Sequence, residues 1–206
     1  MAQNSPRLEG EARQNEERYG GMSDLTVGEL YRDRLLIEAT DLIVRARSLP
    51  DLFKELAPRI LNLTGCEFLK FSLHDPRQNC MITHYWKRNQ ESGQFDAFAV
   101  DDCVSGWVWK QQEALTIPDI EKEKRFPHCV QELRKHGVRS YIVLPLNTAA
   151  NHFGAIGLGK SVPNALGATD MQFFQRVAFM VSLALENQEA RRAAEQQRER
   201  AWKRRL

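Results

Sequence analysis

The sequence predicts an α+β domain: a central, mainly antiparallel sheet of five to six strands flanked by helices, with long helices near both ends. Apolar residues recur at three/four spacing up to Gly65 and again after Gly167, and at a spacing of two in much of the chain between them. A stretch from Asp101 to Gly137 follows neither period and interrupts the strands. Irregular stretches of that length inside a compact domain are usually functional, so the site is expected there.

The first helix is read from Leu35, Ala39, Leu42, Ile43 and Ala46 and ends at Arg47. Ser48 then caps a second helix, with Pro50 in its first turn, where a missing N–H costs nothing, and Asp51 three residues on. Leu52, Phe53, Leu56 and Ile60 form its apolar face, and Gly65 stops it. In CEFLKFSLHD, Leu69, Phe71 and Leu73 alternate with Lys70, Ser72 and His74, which predicts a half-buried strand closed by Asp75-Pro76. NCMITHYWK pairs with it as a hairpin, and FDAFAV is a third strand. SGWVWKQQ reads as a short helix and ALTIPD as an edge strand ended by Pro118. HCVQELRKHG reads as a helix with Gly137 as its stop. RSYIVLPL and HFGAIGLGK are two further strands. A last helix is expected to open at Thr169, with Gln172 three residues later.

The 206 residues are 42% hydrophobic and 27% charged, a globular balance that suits one domain with extensions. Residues 1–24 are expected to be disordered, 25–188 to form the folded domain, and 189–206 a charged helical extension. That extension carries seven Lys or Arg against three Glu, while the formal net charge of the whole chain is +2. The body is therefore near neutral and poorly suited to phosphate backbones, so it is expected to make no direct nucleic-acid contact. No apolar run approaches the ~20 residues of a membrane span, and the N-terminus lacks the apolar core of a secretory signal. No membrane association and a cytoplasmic location are expected. Cys66, Cys80, Cys103 and Cys129 lie far apart, without zinc-site spacing, and are expected to be reduced.

At SGWVWKQQEALTIPD, followed by RF, GVRSYIVLPL and FGAIGLG, the chain resembles a GAF domain over roughly Leu35 to Asn187. Within that family, GWVWKQQEAL–IPDIEKEKRF–VRSYIVLPL is most similar to the N-terminal sensor domains of formate-hydrogenlyase-activator-type regulators of sigma-54 transcription. The resemblance implies a GAF/PAS-like fold, a small-molecule ligand and a transcriptional output. It also raises two alternatives: a cysteine-dependent methionine sulfoxide reductase of the same fold, and a purely structural dimerisation module.

Gly154 to Ser161 formally matches the phosphate-loop pattern GxxxxGK[ST]. A phosphate loop needs a helix beginning at its Lys-Ser so that backbone N–H groups converge on the anion. Here Pro163-Asn164 follow, and AIGL reads as strand. His128-Cys129 lies where bilin-binding GAF domains carry Cys-His, but in reversed order, which disfavours covalent tetrapyrrole attachment. The Asn-Lys-Phe-Asp-Glu signature of cyclic-nucleotide-binding relatives is absent. A reductase cysteine would directly precede the glycine of the short helix; Ser105 stands there instead. The chain is accordingly expected not to be an enzyme.

The candidate ligand-binding residues are Phe71, His84, Trp107, Arg125, Phe126, His128, Cys129 and Tyr141, with Arg125 as the partner of a small carboxylate. Neither the ligand nor any cofactor is identified by the sequence. The last helix carries two apolar stripes, Phe174/Ala178/Val181/Leu185 and Phe173/Val177/Met180/Ala184. One stripe suffices to cover a sheet, so a homodimer through the terminal helices is expected to bury the second.

Overall fold

The computed structural model describes residues 48–88 and 95–204; the helix expected over Leu35–Ala46 and the segment 1–24 lie outside them. Helix α1 (Leu49–Thr64) starts as its sequence dictates. The Ser48 hydroxyl accepts the Asp51 N–H, Pro50 sits in the first turn, and Gly65 ends the helix in the left-handed conformation. Three strands follow: β1 (Phe68–Asp75), β2 (Cys80–Lys87) and β3 (Phe95–Ala99). The irregular stretch contains a 3-10 turn at Val100–Asp102, helix α2 (Val104–Gln111), strand β4 (Leu115–Ile117) and helix α3 (Pro127–Lys135). Strands β5 (Ser140–Asn147) and β6 (His152–Lys160) and the 36-residue helix α4 (Ala168–Lys203) complete the chain.

The six strands form one sheet in the order β3-β2-β1-β6-β5-β4, and every pair in it is antiparallel. Two three-stranded meanders thus meet along β1 and β6. The chain leaves the first at one edge, β3, and must reach the opposite edge, β4, before the second can form. The connecting residues cross the sheet, and α2 packs on β5 and β6 on the way. The crossing segment forms a lid over one face of the sheet, and topology requires it.

The two faces carry two apolar cores. On one, α1 and α4 cover Leu69, Phe71, Ile142, Leu144, Ile156 and Leu158. On the other, α2 and α3 cover Phe68, Met81, Tyr85, Tyr141, Val143 and Ala155. This corrects the reading of β1 as half-buried. Lys70 and Ser72 alternate with its apolar residues as expected, but the lid buries them too, and Lys70 is only 5% exposed.

Two further expectations change, and the phosphate-loop match is resolved as expected. Helix α4 opens one residue earlier than expected: the Gly167 N–H donates to the Asp170 carboxylate at 3.0 Å. Both of its apolar stripes lie within the chain's own core, with Met180 half-buried at its rim. In the half of the helix that covers the sheet, the large apolar residues left exposed are Phe179 (56%) and Leu183, on a third line; Trp202 is exposed near the far end. Gly154 to Lys160 is strand paired to β1 and β5, and no helix begins at Ser161. The Lys160 ammonium donates to the Ala165 carbonyl, and Ser161 bonds Glu67. The formal phosphate-loop match is a strand and a turn.

Candidate functional site

The lid face is built by strand alternation. On β1, Phe68, Lys70 and Ser72 point towards α2 and α3; on β2, Met81, Thr83 and Tyr85 do so. Ser72 and Thr83 satisfy one another across the pair at 3.2 Å. Tyr141 on β5 leans over β6, and its ring needs the missing side chain of Gly157: a Cβ there would lie 1.9 Å from the phenolic oxygen. Helix α2 is pinned to its own entry turn in the same way, since a Cβ on Gly106 would meet the Val100 carbonyl oxygen at 1.9 Å. The Cys103 sulfur caps α2 by accepting the Gly106 N–H at 3.3 Å.

Two polar groups beneath the lid stand out. The Tyr141 hydroxyl is fully buried and has no hydrogen-bond partner among the described residues. Burial, reinforced by the nearby Cys129 and Cys103 thiols, holds its pKa well above the ordinary phenol value, so it is a neutral donor. The Lys70 ammonium lies over the Phe98 ring, 4.6 Å from its centroid. Burial raises the Cys103 pKa, and the Lys70 charge works against that rise. Phe68, Tyr85 and His136 stack beside them, with Tyr85 and His136 ring centroids 4.4 Å apart and Phe68 and His136 5.3 Å apart.

The sequence-derived candidates divide between three places. Phe126, Cys129 and Tyr141 are buried under the lid, and Trp107 packs against them. Phe71 and His84 lie on the opposite face, where Phe71 stacks on Phe53 at 4.1 Å and His84 packs against Phe53 and Trp86. Strand alternation separates these two from the rest. Arg125 and His128 are exposed at the surface. The Arg125 guanidinium is held by Glu123 at 2.6 Å and lies over Phe126, so it does not reach under the lid. Lys70 was missed because a lysine in an alternating strand reads as a solvent-facing residue. The available signal was its place, mid-strand between Leu69 and Phe71 in the strand that begins the sheet.

On the helix-covered face, a cleft of about 240 Å³ opens between α4 and β5, lined by Gln112, Ala114, Leu144, Asn147, Ala178 and Phe179. Among the described residues no three His, Cys, Asp or Glu side chains converge as metal ligands. No helix among them is long and apolar enough to cross a membrane.

A six-stranded antiparallel sheet with helices on one face and a crossing lid on the other matches a known family model, described as the GAF domain, over residues 46–186. The chain belongs to the GAF domain family. A search among curated proteins returned no match. Among solved structures, the GAF domain of a phosphoenolpyruvate-protein phosphotransferase from Coxiella burnetii is similar. It has a TM-score of 0.68 and 13% identity, covering 80% of this chain and 98% of that one. The phycocyanobilin-bound GAF domain of a cyanobacterial phytochrome gives 0.64 at 14% identity, over 78% of this chain and 97% of that one. Free methionine-R-sulfoxide reductase from Neisseria meningitidis, in complex with its substrate, gives 0.64 at 16% identity, over 79% and 92%. These identities establish a shared fold. The last comparison corrects the expectation of a non-catalytic chain: the GAF architecture also houses enzymes, so catalysis is not excluded by the fold.

Proposed function

We propose that this GAF domain senses a small molecule between sheet and lid and transmits its presence through α4 to a helical dimer interface, with regulation of transcription as the output. One observation carries the reading. Strands β5 and β6 are held between α2 on the lid face and α4 on the other, so a ligand that displaces the lid acts on the strands that seat α4. Such a ligand shifts the arrangement only by as much as it prefers one state over the other.

Helix α4 suits this role. Its first half covers the sheet, and from Glu189 it continues with every residue exposed up to Arg204. Fifteen residues of free helix extend ~22 Å, enough to carry a small rotation beyond the domain. Phe179 and Leu183, one turn apart and exposed, are apolar residues available to a second copy. The phycocyanobilin-bound relative shows that this fold takes small ligands, and the resemblance of residues 106–146 to sigma-54 regulator sensors supports the transcriptional output.

Light scattering is expected to give a dimer at tens of micromolar. Phe179→Glu combined with Leu183→Glu is expected to give a monomer with an unchanged far-UV spectrum. A monomeric wild type, or a dimer indifferent to both charges, would overturn the α4 interface.

A further inference from the structure

The cleft between α4 and β5 lies on the face of the sheet opposite the lid, and the proposed sensor mechanism makes no use of it. Its polar walls are three carboxamides, Gln112, Asn147 and Gln175, and none of its lining residues is ionisable. Three separate elements supply them. Gln112 caps the C-terminus of α2 in the left-handed conformation, with φ 57°. Glycine usually holds such a cap, and a larger residue there carries strain of the kind found at ligand clamps. What the glutamine adds is its side chain: Nε2 donates to the Trp109 carbonyl, and Oε1 accepts from Asn147 Nδ2 at the end of β5. These two bonds hold the pair in place and use one N–H of each. A carboxamide oxygen and further N–H groups remain for another molecule. Gln175 comes from the first half of α4 and is exposed.

The remaining walls narrow the chemistry. Ala114, Leu144 and Ala178 are small or aliphatic, and Phe179, 56% exposed, adds an aromatic ring. A charged ligand would leave its water and meet no counter-ion on these walls. A carboxamide or lactam instead offers a donor beside an acceptor, the pairing that another carboxamide returns, and a flat ring can lie against phenylalanine. The volume of about 240 Å³ is below the range of drug-sized ligands and suits a one-ring molecule. We propose that this cleft is a second ligand site, taking a neutral planar amide such as an aromatic carboxamide or a lactam ring. The site goes beyond the sensor reading. It joins the cap of the lid helix, the end of β5 and the same Phe179 that the dimer surface offers to a second copy. A molecule bound there touches both the lid's exit and α4, from the face that the lid leaves open.

The test uses the full chain labelled with nitrogen-15 and follows the side-chain NH2 signals of Gln112, Asn147 and Gln175 by NMR, assigned from variants. The probes are benzamide and 2-pyridone, with sodium benzoate as the charged isostere and cyclohexanecarboxamide as an amide without an aromatic ring. Benzamide and 2-pyridone are expected to shift the Asn147 and Gln175 signals saturably, and benzoate to leave them in place. Gln175→Ala and Gln112→Gly are each expected to weaken benzamide ~2- to 10-fold, the range for neutral hydrogen bonds. Glycine adopts the positive φ at position 112 freely, so that variant keeps its fold. Ala114→Leu fills the cleft without removing a polar group and is expected to abolish binding. Cyclohexanecarboxamide is expected to bind more weakly than benzamide, and Phe179→Ala to erase the difference. Equal shifts with benzoate, unchanged affinity in Ala114→Leu, shifts confined to residues beneath the lid, or no response to benzamide and 2-pyridone would each overturn the site. Light scattering on the same samples keeps the two readings apart. A dimer that binds no amide overturns the cleft alone, and a monomer that binds amide supports the cleft and overturns the α4 interface.

Discussion

The contact between Tyr141 and Gly157 can be measured by a cycle of substitutions. An alanine Cβ at position 157 would lie 1.9 Å from the phenolic oxygen, 2.4 Å from Cζ and 2.9 Å from Cε2, all below the 3.0 Å that real Cβ contacts respect. The Tyr141 ring cannot retreat, because it is fully buried against Phe68. Overpacking of this kind costs about 1–3 kcal/mol. Against that, replacing glycine stiffens the unfolded chain and returns about 0.4–1 kcal/mol. The net expectation for Gly157→Ala is a loss of ~1 kcal/mol, or roughly 2–4 °C in midpoint for a domain of this size. Tyr141→Phe alone removes a buried hydroxyl without a partner and is expected to stabilise by ~1 kcal/mol. In the Tyr141→Phe background Gly157→Ala still meets Cζ, so its penalty shrinks without vanishing. In a Tyr141→Leu background the ring is gone, and the penalty is expected to disappear. Calorimetry or urea melts on wild type and the five variants supply the cycle. A Gly157→Ala protein as stable as wild type, or the same penalty in the leucine background, would refute the reasoning.

Acid is expected to weaken the domain in two stages. Burial lowers the His84 pKa, so the fold holds this ring neutral while the unfolded chain takes up a proton at the ordinary value. Stability is therefore lost as pH falls from the unfolded His pKa through the depressed folded one, and His84→Gln should flatten that part of a stability–pH curve. The Glu121 N–H and Arg139 keep Asp119 below the usual carboxylate range, and Arg125 does the same for Glu123. Their contribution is present above ordinary carboxylate values and lost below about pH 4. A second decline should appear there, and a flat profile between pH 7 and 3 would contradict both assignments. Thiol labelling should report the lid: Cys80 is partly exposed, while Cys66, Cys103 and Cys129 are buried. Burial pushes the Cys66 thiol up to about 11. A maleimide at pH 8 is expected to add one label per native chain by intact mass. Early modification of Cys103 or Cys129 would mean that the lid opens without unfolding.

Much of the architecture was legible because local chemistry dictates it. Ser48 with Pro50 and Asp51 announces α1, Gly65 and Gly137 end their helices with positive φ, and Pro118 ends β4. The alternation in β1 and β2 is equally plain. What alternation cannot reveal is whether the polar face meets water. Lys70 and Ser72 are buried by residues thirty or more positions later, a fact of topology rather than of period. The same limit split the expected site. Phe71 and His84 carry the right chemistry but lie on the wrong parity of their strands, and Arg125 is neutralised by Glu123 two residues before it. Both α4 stripes were read correctly as apolar. That α1 shares their burial, leaving Phe179 and Leu183 outside, depends on how the two helices lie across one sheet.

The seam between β1 and β6 sets how this chain must assemble. The strand pairs within each meander are closer along the chain, but Phe68 finds Gly159 only after nearly the whole domain has been made. Contacts so distant along the backbone must overcome loop-closure entropy before they return anything, which puts such a topology among the slower folders. A newly synthesised chain therefore waits for its last strand before the Lys70 side chain is enclosed between its neighbours.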